Sequence, residues 1–175
     1  YGTKLAEERK SFIEDLNLKA EKIHGDISAN KESLKIEYKE SVDYSNFYEK
    51  MVKNRDKDIF YGNTCVGIHK DDMVFYINGN NARDYASQGQ QRTAALSLKL
   101  SEIYLVKEKI KDTPILLLDD VLSELDSNRQ TYLLDSIHDI QTLITCTGLD
   151  DFVSHQFHIN KVFKVVKGEV FNPVN

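Results

Sequence analysis

Two adjacent carboxylates, those of Asp119 and Asp120, follow four apolar residues in the segment 114–126, Pro-Ile-Leu-Leu-Leu-Asp-Asp-Val-Leu-Ser-Glu-Leu-Asp. Such an apolar run after a proline is typical of a strand buried on both faces, as in a parallel sheet. The two acids, here called the acidic pair, would then lie at the carboxyl end of the strand, where open α/β sheets bind ligands. Mg²⁺ suits this place, because it takes one or two carboxylates and completes its shell with phosphate oxygens and water. The pattern is the Walker B motif of nucleotide hydrolases, although an apolar strand ending in Asp also arises by chance.

A second candidate site lies at 86–93, Ala-Ser-Gln-Gly-Gln-Gln-Arg-Thr, here called the signature segment. The residues after it, 94–111, are rich in Ala, Leu, Lys and Glu and predict a helix. Ser87 occupies an N-cap position, and Gln90 would complete a capping box. Capping does not account for Gly89, since a glycine lets another backbone approach closely. A helix start with free N–H groups, a serine hydroxyl and a glycine is also an anion site, which predicts a contact with a γ-phosphate.

The two sites together resemble one known family. The signature segment is similar to the ABC-class signature Leu-Ser-Gly-Gly-Gln-Gln-Arg, and Ser-Glu-Leu-Asp at 123–126 is similar to the D-loop that follows Walker B in that class. The strings Ser-Gln-Gly-Gln-Gln-Arg-Thr and Leu-Leu-Leu-Asp-Asp-Val-Leu-Ser-Glu-Leu-Asp resemble the RecF family of bacterial recombinational-repair proteins. A third block, 66–79, also agrees, except that Ile68 and Lys70 stand where the family typically has Pro and Arg. The resemblance extends from about residue 25 to residue 147.

The resemblance implies an α/β fold, namely the C-terminal half of an ABC-class (RecF/SMC-like) ATPase head with a preceding helical segment from the second lobe. It divides the chain into a helical lobe segment with a short strand, 1–61, and the C-terminal part of the ATPase head, 62–175. The family's P-loop, Gly-x-x-x-x-Gly-Lys-[Ser/Thr], does not occur in the sequence. Because a P-loop holds the β- and γ-phosphates of the nucleotide, we expect that half of the head to lie outside this chain, and the chain alone to be inactive.

The resemblance also implies a role for each candidate residue. Asp119 would bind Mg²⁺, directly or through water, and Asp120 would be the catalytic residue that orients the attacking water. Asp120 is one methylene shorter than the Glu usual in ABC proteins, which suggests slow hydrolysis or only a supporting role. The signature residues would contact the nucleotide in trans, that is, the nucleotide held by the other subunit; they are Ser87, Gln88, Gly89 and Gln90. In the D-loop, Ser123 and Asp126 would contact the opposite subunit, although Asp126 could simply cap the next helix.

For the whole protein, the resemblance implies an ATP-dependent DNA-binding clamp of recombinational DNA repair and replication-fork maintenance, with ATP and Mg²⁺ as cofactors. Such a protein forms an ATP-dependent homodimer, binds gapped DNA or single-strand–double-strand junctions, and works with RecO and RecR to load RecA. Two other interpretations stay open: an SMC-like or other ABC-class ATPase head, and a non-hydrolysing ATPase-like interaction module. A transporter head fits less well, because Gln88, the paired aspartates and the absence of a switch His after the following strand depart from its pattern.

Composition narrows the class of protein. The 175 residues are 41% hydrophobic and 29% charged, as in a globular domain, and no stretch approaches the ~18 apolar residues of a membrane helix. The formal net charge of −5 argues against a dedicated DNA-binding surface on this chain. Cys65 and Cys146 lack metal-ligand spacing, and their apolar, strand-like surroundings predict buried, reduced thiols and a cytoplasmic protein. His69 with Asp71 and Asp72 makes a poor zinc set, so structural hydrogen bonding is expected there.

Periodicity and turn signals predict the elements that carry these residues. Helices are expected at 3–24 with Gly25 as its cap, at 44–60 with Ser45 as its cap, and at 127–137. Strands are expected at 33–39, 64–68, 73–77 and 141–146, with a turn at Asn78-Gly79 and a hairpin at 162–171 around Lys167-Gly168. The strand–helix alternation from residue 87 onward predicts an α/β arrangement.

Overall fold

The computed structural model describes residues 1–147 and 161–171. Its helices are α1 (Gly2–Ile27), α2 (Phe47–Tyr61), α3 (Ala82–Tyr85), α4 (Gln88–Ile110) and α5 (Ser127–Ser136). Its strands are β1 (Leu34–Lys39), β2 (Asp72–Ile77), β3 (Asn80–Asn81), β4 (Leu116–Asp119), β5 (Thr142–Thr145), β6 (Lys164–Val166) and β7 (Glu169–Phe171). Three 3₁₀ turns cover Tyr44–Asn46, Ile68–Lys70 and Leu122–Glu124. Within the described ranges, no helix is both long enough and apolar enough to cross a membrane.

The two longest helices, α1 and α4, pack against each other. On α1 the buried residues Ile13, Leu16 and Ala20 recur at helical spacing and form one face. On α4 the contact includes small side chains: Ser97 and Ser101 are fully buried, and their hydroxyls donate to the carbonyls of Thr93 and Ser97 at 2.7 and 2.5 Å. Small residues with satisfied hydroxyls let the helices approach without leaving buried polar groups unpaired.

An antiparallel sheet in the order β1-β2-β3 covers one side of α1. Leu34 pairs with Ile77 in its register, and Leu34 and Ile36 face the core while Lys35 between them is exposed. The predicted turn at Asn78-Gly79 is present, with φ of 51° and 79° at the two residues, as a tight hairpin requires. The sheet joins a strand before residue 61 to two strands after it.

The strands β4 and β5 form a parallel pair connected by α5. Leu118 lies opposite Ile144, and Asp119 lies opposite Thr145 at the carboxyl end of both strands. A core cluster beneath the pair joins α1, α4 and α5 through the buried residues Ile23, Leu96, Leu100, Leu122, Leu133, Ile137 and Ile140. This βαβ unit places the acidic pair at the edge where the sequence predicted it.

The expectation that β4 is buried on both faces is wrong for the part of the chain that the structure describes. Leu116 and Leu118 are half-buried against the core, whereas Leu117 is 70% exposed. On β5, Leu143 is likewise 55% exposed. The described part of the chain therefore covers one face of the parallel pair and leaves the apolar opposite face open.

Three local predictions are also wrong. Residues 64–68 do not form a strand, because Gly67 has a φ of 142° and the chain turns into the 3₁₀ segment Ile68–Lys70. Gly25 does not cap α1, which continues to Ile27. Ser45 does not cap the second helix: the carboxylate of Asp43 accepts from the Ser45 N–H at 2.9 Å, and a 3₁₀ turn precedes α2.

The other predicted elements are present, whereas β3 and α3 were not predicted. The helix at 127–137 and the strand at 141–146 are present as α5 and β5. The hairpin of β6 and β7 turns at Lys167-Gly168, where both residues have positive φ, 50° and 84°. Cys65 and Cys146 are free thiols as expected, but both are only half-buried.

Candidate functional site

The signature segment forms the capped start of α4. The Ser87 hydroxyl oxygen accepts the Gln90 N–H at 3.3 Å, and the Gln90 side-chain oxygen accepts the Ser87 N–H at 2.9 Å. The predicted capping box is therefore confirmed. The side chains of Ser87 and Gln88 are exposed beyond it. A Cβ on Gly89 would meet nothing closer than the tip of Arg129 at 3.7 Å, so nothing in the described chain needs a glycine there.

A chain of polar side chains ties this helix start to α1. The Gln90 side-chain amide donates to one carboxylate oxygen of Glu32 at 3.0 Å, and Nε2 of His24 lies 3.2 Å from the other. His24 is fully buried, and its Nδ1 lies 3.4 Å from the Ser97 hydroxyl. Burial lowers the pKa of His24, although the Glu32 carboxylate acts in the opposite direction. The orientation of Gln90 thus depends on residues far away in sequence.

Arg129 joins the start of α5 to the signature segment. Asp126 caps α5 by accepting the Arg129 N–H at 3.0 Å, which is the alternative role that the sequence left open, and it also pairs with the Arg129 guanidinium. That guanidinium donates from Nε to the Thr93 hydroxyl at 2.6 Å and from Nη2 to the Gly89 carbonyl at 3.3 Å. The backbone N–H of Arg129, together with its charge, holds the pKa of the Asp126 carboxyl below its usual value.

The acidic pair lies at the ends of β4 and β5, where Thr145 organises it. The Thr145 hydroxyl donates to Oδ1 of Asp119. The N–H of Asp120 lies 3.2 Å from the Thr145 carbonyl oxygen and 3.1 Å from its hydroxyl oxygen. The carbonyl of Asp120 accepts the Ser123 hydroxyl at 2.8 Å. Asp119 and Asp120 bond to Thr145 and Ser123 rather than to Ser87–Gln90, so the two predicted sites are separately built.

The acidic pair fits a magnesium ion in the chemistry of its donors. Both residues are exposed at one strand end and offer hard carboxylate oxygens, and the Thr145 hydroxyl fixes the orientation of one of them. Within residues 1–147 and 161–171, no group of three or more His, Cys, Asp and Glu side chains converges as a metal site. Mg²⁺ suits a two-carboxylate site, because it keeps water and phosphate oxygens as its other ligands.

The block at 69–72 forms structural hydrogen bonds, as the sequence predicted. The Asp71 carboxylate accepts from the hydroxyls of Tyr38 and Tyr44 and from the Ser41 N–H at 2.7 Å. Burial and the Asp71 charge raise the pKa of Tyr38 to about 12. His69 points elsewhere, with Nε2 2.8 Å from the Thr64 carbonyl oxygen.

Sequence reasoning missed three residues that hold the signature segment, namely His24, Glu32 and Arg129, and it also missed the role of Thr93 within the segment. The pairing of Asp126 with Arg129 is visible in sequence, since the two are three residues apart on one helix start. The bonds from Arg129 to Thr93 and Gly89 span 36 and 40 residues, and Gln90 lies 58 residues from Glu32. No local signal predicts contacts of that separation.

Curated proteins match nearly the whole chain, although no protein-family model does. The DNA replication and repair protein RecF of Lachnospira eligens is 56% identical over 172 residues, 98% of this chain. Those of Agathobacter rectalis and Clostridium tetani are 54% and 43% identical, each over 97% of it. The chain belongs to the RecF family. It spans 47–48% of the length of these RecF proteins and corresponds to their C-terminal half.

Two solved RecF structures confirm the expected fold class. The recombination mediator protein RecF-ATP of the RecFOR pathway matches 99% of this chain, with 37% identity and a TM-score of 0.81. RecF-ATPrS of the same pathway matches with 33% identity and the same TM-score. This chain covers 48% of each of those structures. It therefore has the fold of the C-terminal half of RecF, an ABC-class ATPase fold.

Proposed function

We propose that this chain is the part of an ATP-dependent DNA-binding clamp that carries its signature, Walker B and D-loop residues. The whole protein would act in recombinational DNA repair and replication-fork maintenance, bind gapped DNA or single-strand–double-strand junctions, and support RecA loading with RecO and RecR. The relatives named DNA replication and repair protein RecF and the solved RecF-ATP structure of the RecFOR pathway support this proposal. The net charge of −5 indicates that most of the DNA-binding surface lies outside the chain.

The observation that carries the proposal is the start of α4, which is exposed to solvent on one side and hydrogen-bonded to other elements on the opposite side. Ser87 and Gln88 face solvent, while Gln90 and the carbonyl of Gly89 are fixed from behind by Glu32 and Arg129. A helix start whose free face holds a hydroxyl and no bulky side chain at Gly89 can admit a phosphate from another molecule. Ser87, Gln88, Gly89 and Gln90 would therefore contact the γ-phosphate of ATP held by a second subunit, so that ATP closes a homodimer.

The acidic pair would serve the ATP of its own head. Asp119, held by the Thr145 hydroxyl, would bind Mg²⁺, which when bound neutralises charge on the phosphates. Asp120 would hold and orient the attacking water as a general base. Ser123 fixes the turn after Asp120, and Asp126 sits at the start of α5, where both could meet the opposite subunit in a closed dimer.

The open face of β4 and β5 is consistent with a missing half of the head. Parallel strands occur almost only with both faces covered, yet Leu117 and Leu143 are 70% and 55% exposed. The chain spans only about half the length of its RecF relatives. The remaining half, which would carry the P-loop, is the natural cover for this face.

Ser87→Arg in the full-length protein tests the contact in trans. A bulky cation at the start of α4 would collide with the facing subunit, so we expect ATP-dependent dimerisation to be lost while monomeric nucleotide binding persists. Analytical ultracentrifugation with a slowly hydrolysed ATP analogue measures the first, and fluorescent-nucleotide titration measures the second.

Ser11→Arg is the matched control, because Ser11 is an exposed serine in the middle of α1, away from the candidate sites. It should dimerise like the wild type. Normal dimerisation of Ser87→Arg would show that the signature segment does not lie at the dimer interface, and it would count decisively against the proposed clamp geometry.

A further inference from the structure

One arginine links two segments that the proposed function places at the dimer interface. Arg129 donates from Nε to the Thr93 hydroxyl at 2.6 Å and from Nη2 to the Gly89 carbonyl at 3.3 Å, and its Nη1 pairs with the Asp126 carboxylate. Thr93 is 1% exposed, and the Arg129 side chain is 27% exposed. Each of the three guanidinium nitrogens thus has its own acceptor, of which Thr93 is buried and Asp126 is half exposed, and the planar group fixes the directions of all three bonds.

The position of this cation is not explained by the stability of α4. The N-terminal end of a helix carries a partial positive charge, which disfavours a nearby cation. Arg129 nevertheless contacts the first turn of α4, and the Gly89 carbonyl that it reaches also accepts the Thr93 hydroxyl at 2.8 Å. Asp126 offsets the charge from the other side. The arrangement fixes the relative placement of two segments rather than strengthening one helix.

We propose that Arg129 is a positioning residue that couples the D-loop to the signature segment, so that both meet the partner subunit as one unit. The proposal rests on the proposed function of the two segments. A shift of Asp126 on contact with a partner would be transmitted through one planar group to Gly89 and Thr93, next to Ser87. None of these contacts involves the acidic pair, so nucleotide binding within one head should not depend on them.

The test compares Arg129→Gln and Arg129→Lys with the wild type in the full-length protein, and Arg55→Gln, an exposed arginine of α2, is the matched control. We expect Arg129→Gln to weaken dimerisation on a slowly hydrolysed ATP analogue by about tenfold, within the usual range for coupled contacts. Arg129→Lys should not rescue it, since a lysine ammonium cannot span three acceptors. The affinity of the monomer for the nucleotide should stay within about twofold of the wild type, and Arg55→Gln should change neither quantity.

A double-mutant cycle with Ser87→Ala separates coupling from a general structural effect. If Arg129 acts through the signature segment, Arg129→Gln should have little further effect on dimerisation once the Ser87 hydroxyl is gone. Thr93→Val removes one of the three acceptors while keeping the shape of the side chain, and it should weaken dimerisation in the same direction. If Arg129→Gln does not fold, dimerisation of Thr93→Val tests the coupling in its place.

The outcomes are distinct. Full additivity of Arg129→Gln and Ser87→Ala, or wild-type dimerisation by both Arg129→Gln and Thr93→Val, would overturn the coupling and leave the clamp proposal standing. A wild-type protein that does not dimerise on the ATP analogue would instead overturn the proposed function, and the coupling with it.

Discussion

Asp120 adopts a backbone conformation that few L-residues tolerate, with a φ of 51°. Asp is among the residues that enter this left-handed region at modest cost. The N–H of Asp120 bonds to Thr145, and its carbonyl accepts the Ser123 hydroxyl. All of these bonds use its backbone, so the carboxylate is not needed to hold the turn. A substitution that changes only the carboxylate should therefore leave the strand end intact.

Asp120→Asn in the full-length protein should reduce ATP hydrolysis by about 10²–10⁴-fold, the usual loss when a positioned base is removed. ATP binding and dimer closure should persist, because the amide keeps the size and one acceptor oxygen. Trapped ATP should then hold the dimer closed for longer and prolong its residence on DNA. ATP turnover and dimer lifetime, measured on the same preparation, check both expectations.

The neighbouring substitution Asp119→Asn is the matched comparison. It should weaken Mg²⁺ capture and so impair closure itself, in contrast to Asp120→Asn. Unchanged turnover in Asp120→Asn would contradict its role as the base; it would leave Asp120 a supporting acid and assign the base to a residue outside this chain.

At the scale of single residues, local spacing predicted the two helix caps but not the long-range contacts that hold them. Ser87 with Gln90, and Asp126 as the cap of α5, follow from spacings of three residues that recur at helix starts. The two residues that hold these groups from the side, Glu32 and Arg129, are brought there only by the packing of α1, α4 and α5. The roles of Glu32 and Arg129 could therefore be recognised only from the three-dimensional structure.

Among the elements, the strand at 64–68 was predicted but is absent, and its absence has a clear physical reason. Its apolar residues Val66 and Ile68 do pack, against a small core of Ala6, Val42 and Tyr44. Gly67 between them has a φ of 142°, which strand residues with side chains cannot adopt. Apolar alternation indicated burial correctly here but not backbone conformation, whereas the sequence predicted both long helices, α1 and α4, as helices.

The contact between α1 and α4 should make stability depend on pH through His24. Burial lowers its pKa below 6.5, with Glu32 opposing the shift and Arg129 adding to it. The folded state therefore binds the proton less readily than the unfolded chain. The contribution of neutral His24 is fully present above pH 6.5 and is lost as the pH falls from there towards its folded pKa. We expect the free energy of unfolding to fall in this window, by at most about 1.4 kcal/mol per pH unit.

Urea denaturation of the 175-residue chain at pH 7.5 and 5.5 measures this change, and NMR titration of the His24 ring gives its pKa directly. His24→Gln should flatten the pH dependence. His138→Gln is the control, because the His138 side chain is 73% exposed and should not carry the effect. A His24 pKa above 6.5 would contradict the prediction and mean that Glu32 outweighs burial.

For the whole molecule, two hydrophobic clusters are closed, whereas one face of the parallel strand pair is exposed. The cluster between α1, the antiparallel sheet and α4 and the cluster beneath β4 and β5 are both closed by residues of this chain. The described residues do not cover the other face of β4 and β5, where Ile115, Leu117 and Leu143 are all more than half exposed. Sequence reasoning predicted a strand covered on both sides, because an apolar run records the environment in the whole protein and not in the part described.

This division leads to the last prediction: the 175-residue chain should fold, yet bind Mg-ATP no more tightly than about millimolar, which corresponds to ~4 kcal/mol. Its two clusters supply a core, but no Gly-x-x-x-x-Gly-Lys-[Ser/Thr] loop is present to hold the β- and γ-phosphates. Isothermal titration calorimetry of the purified chain, with circular dichroism to show that it is folded, makes the measurement. The full-length protein in the same buffer should bind far more tightly. Micromolar binding by the chain alone would show that the acidic pair and the signature segment form a nucleotide site within one molecule, which the contact in trans does not allow.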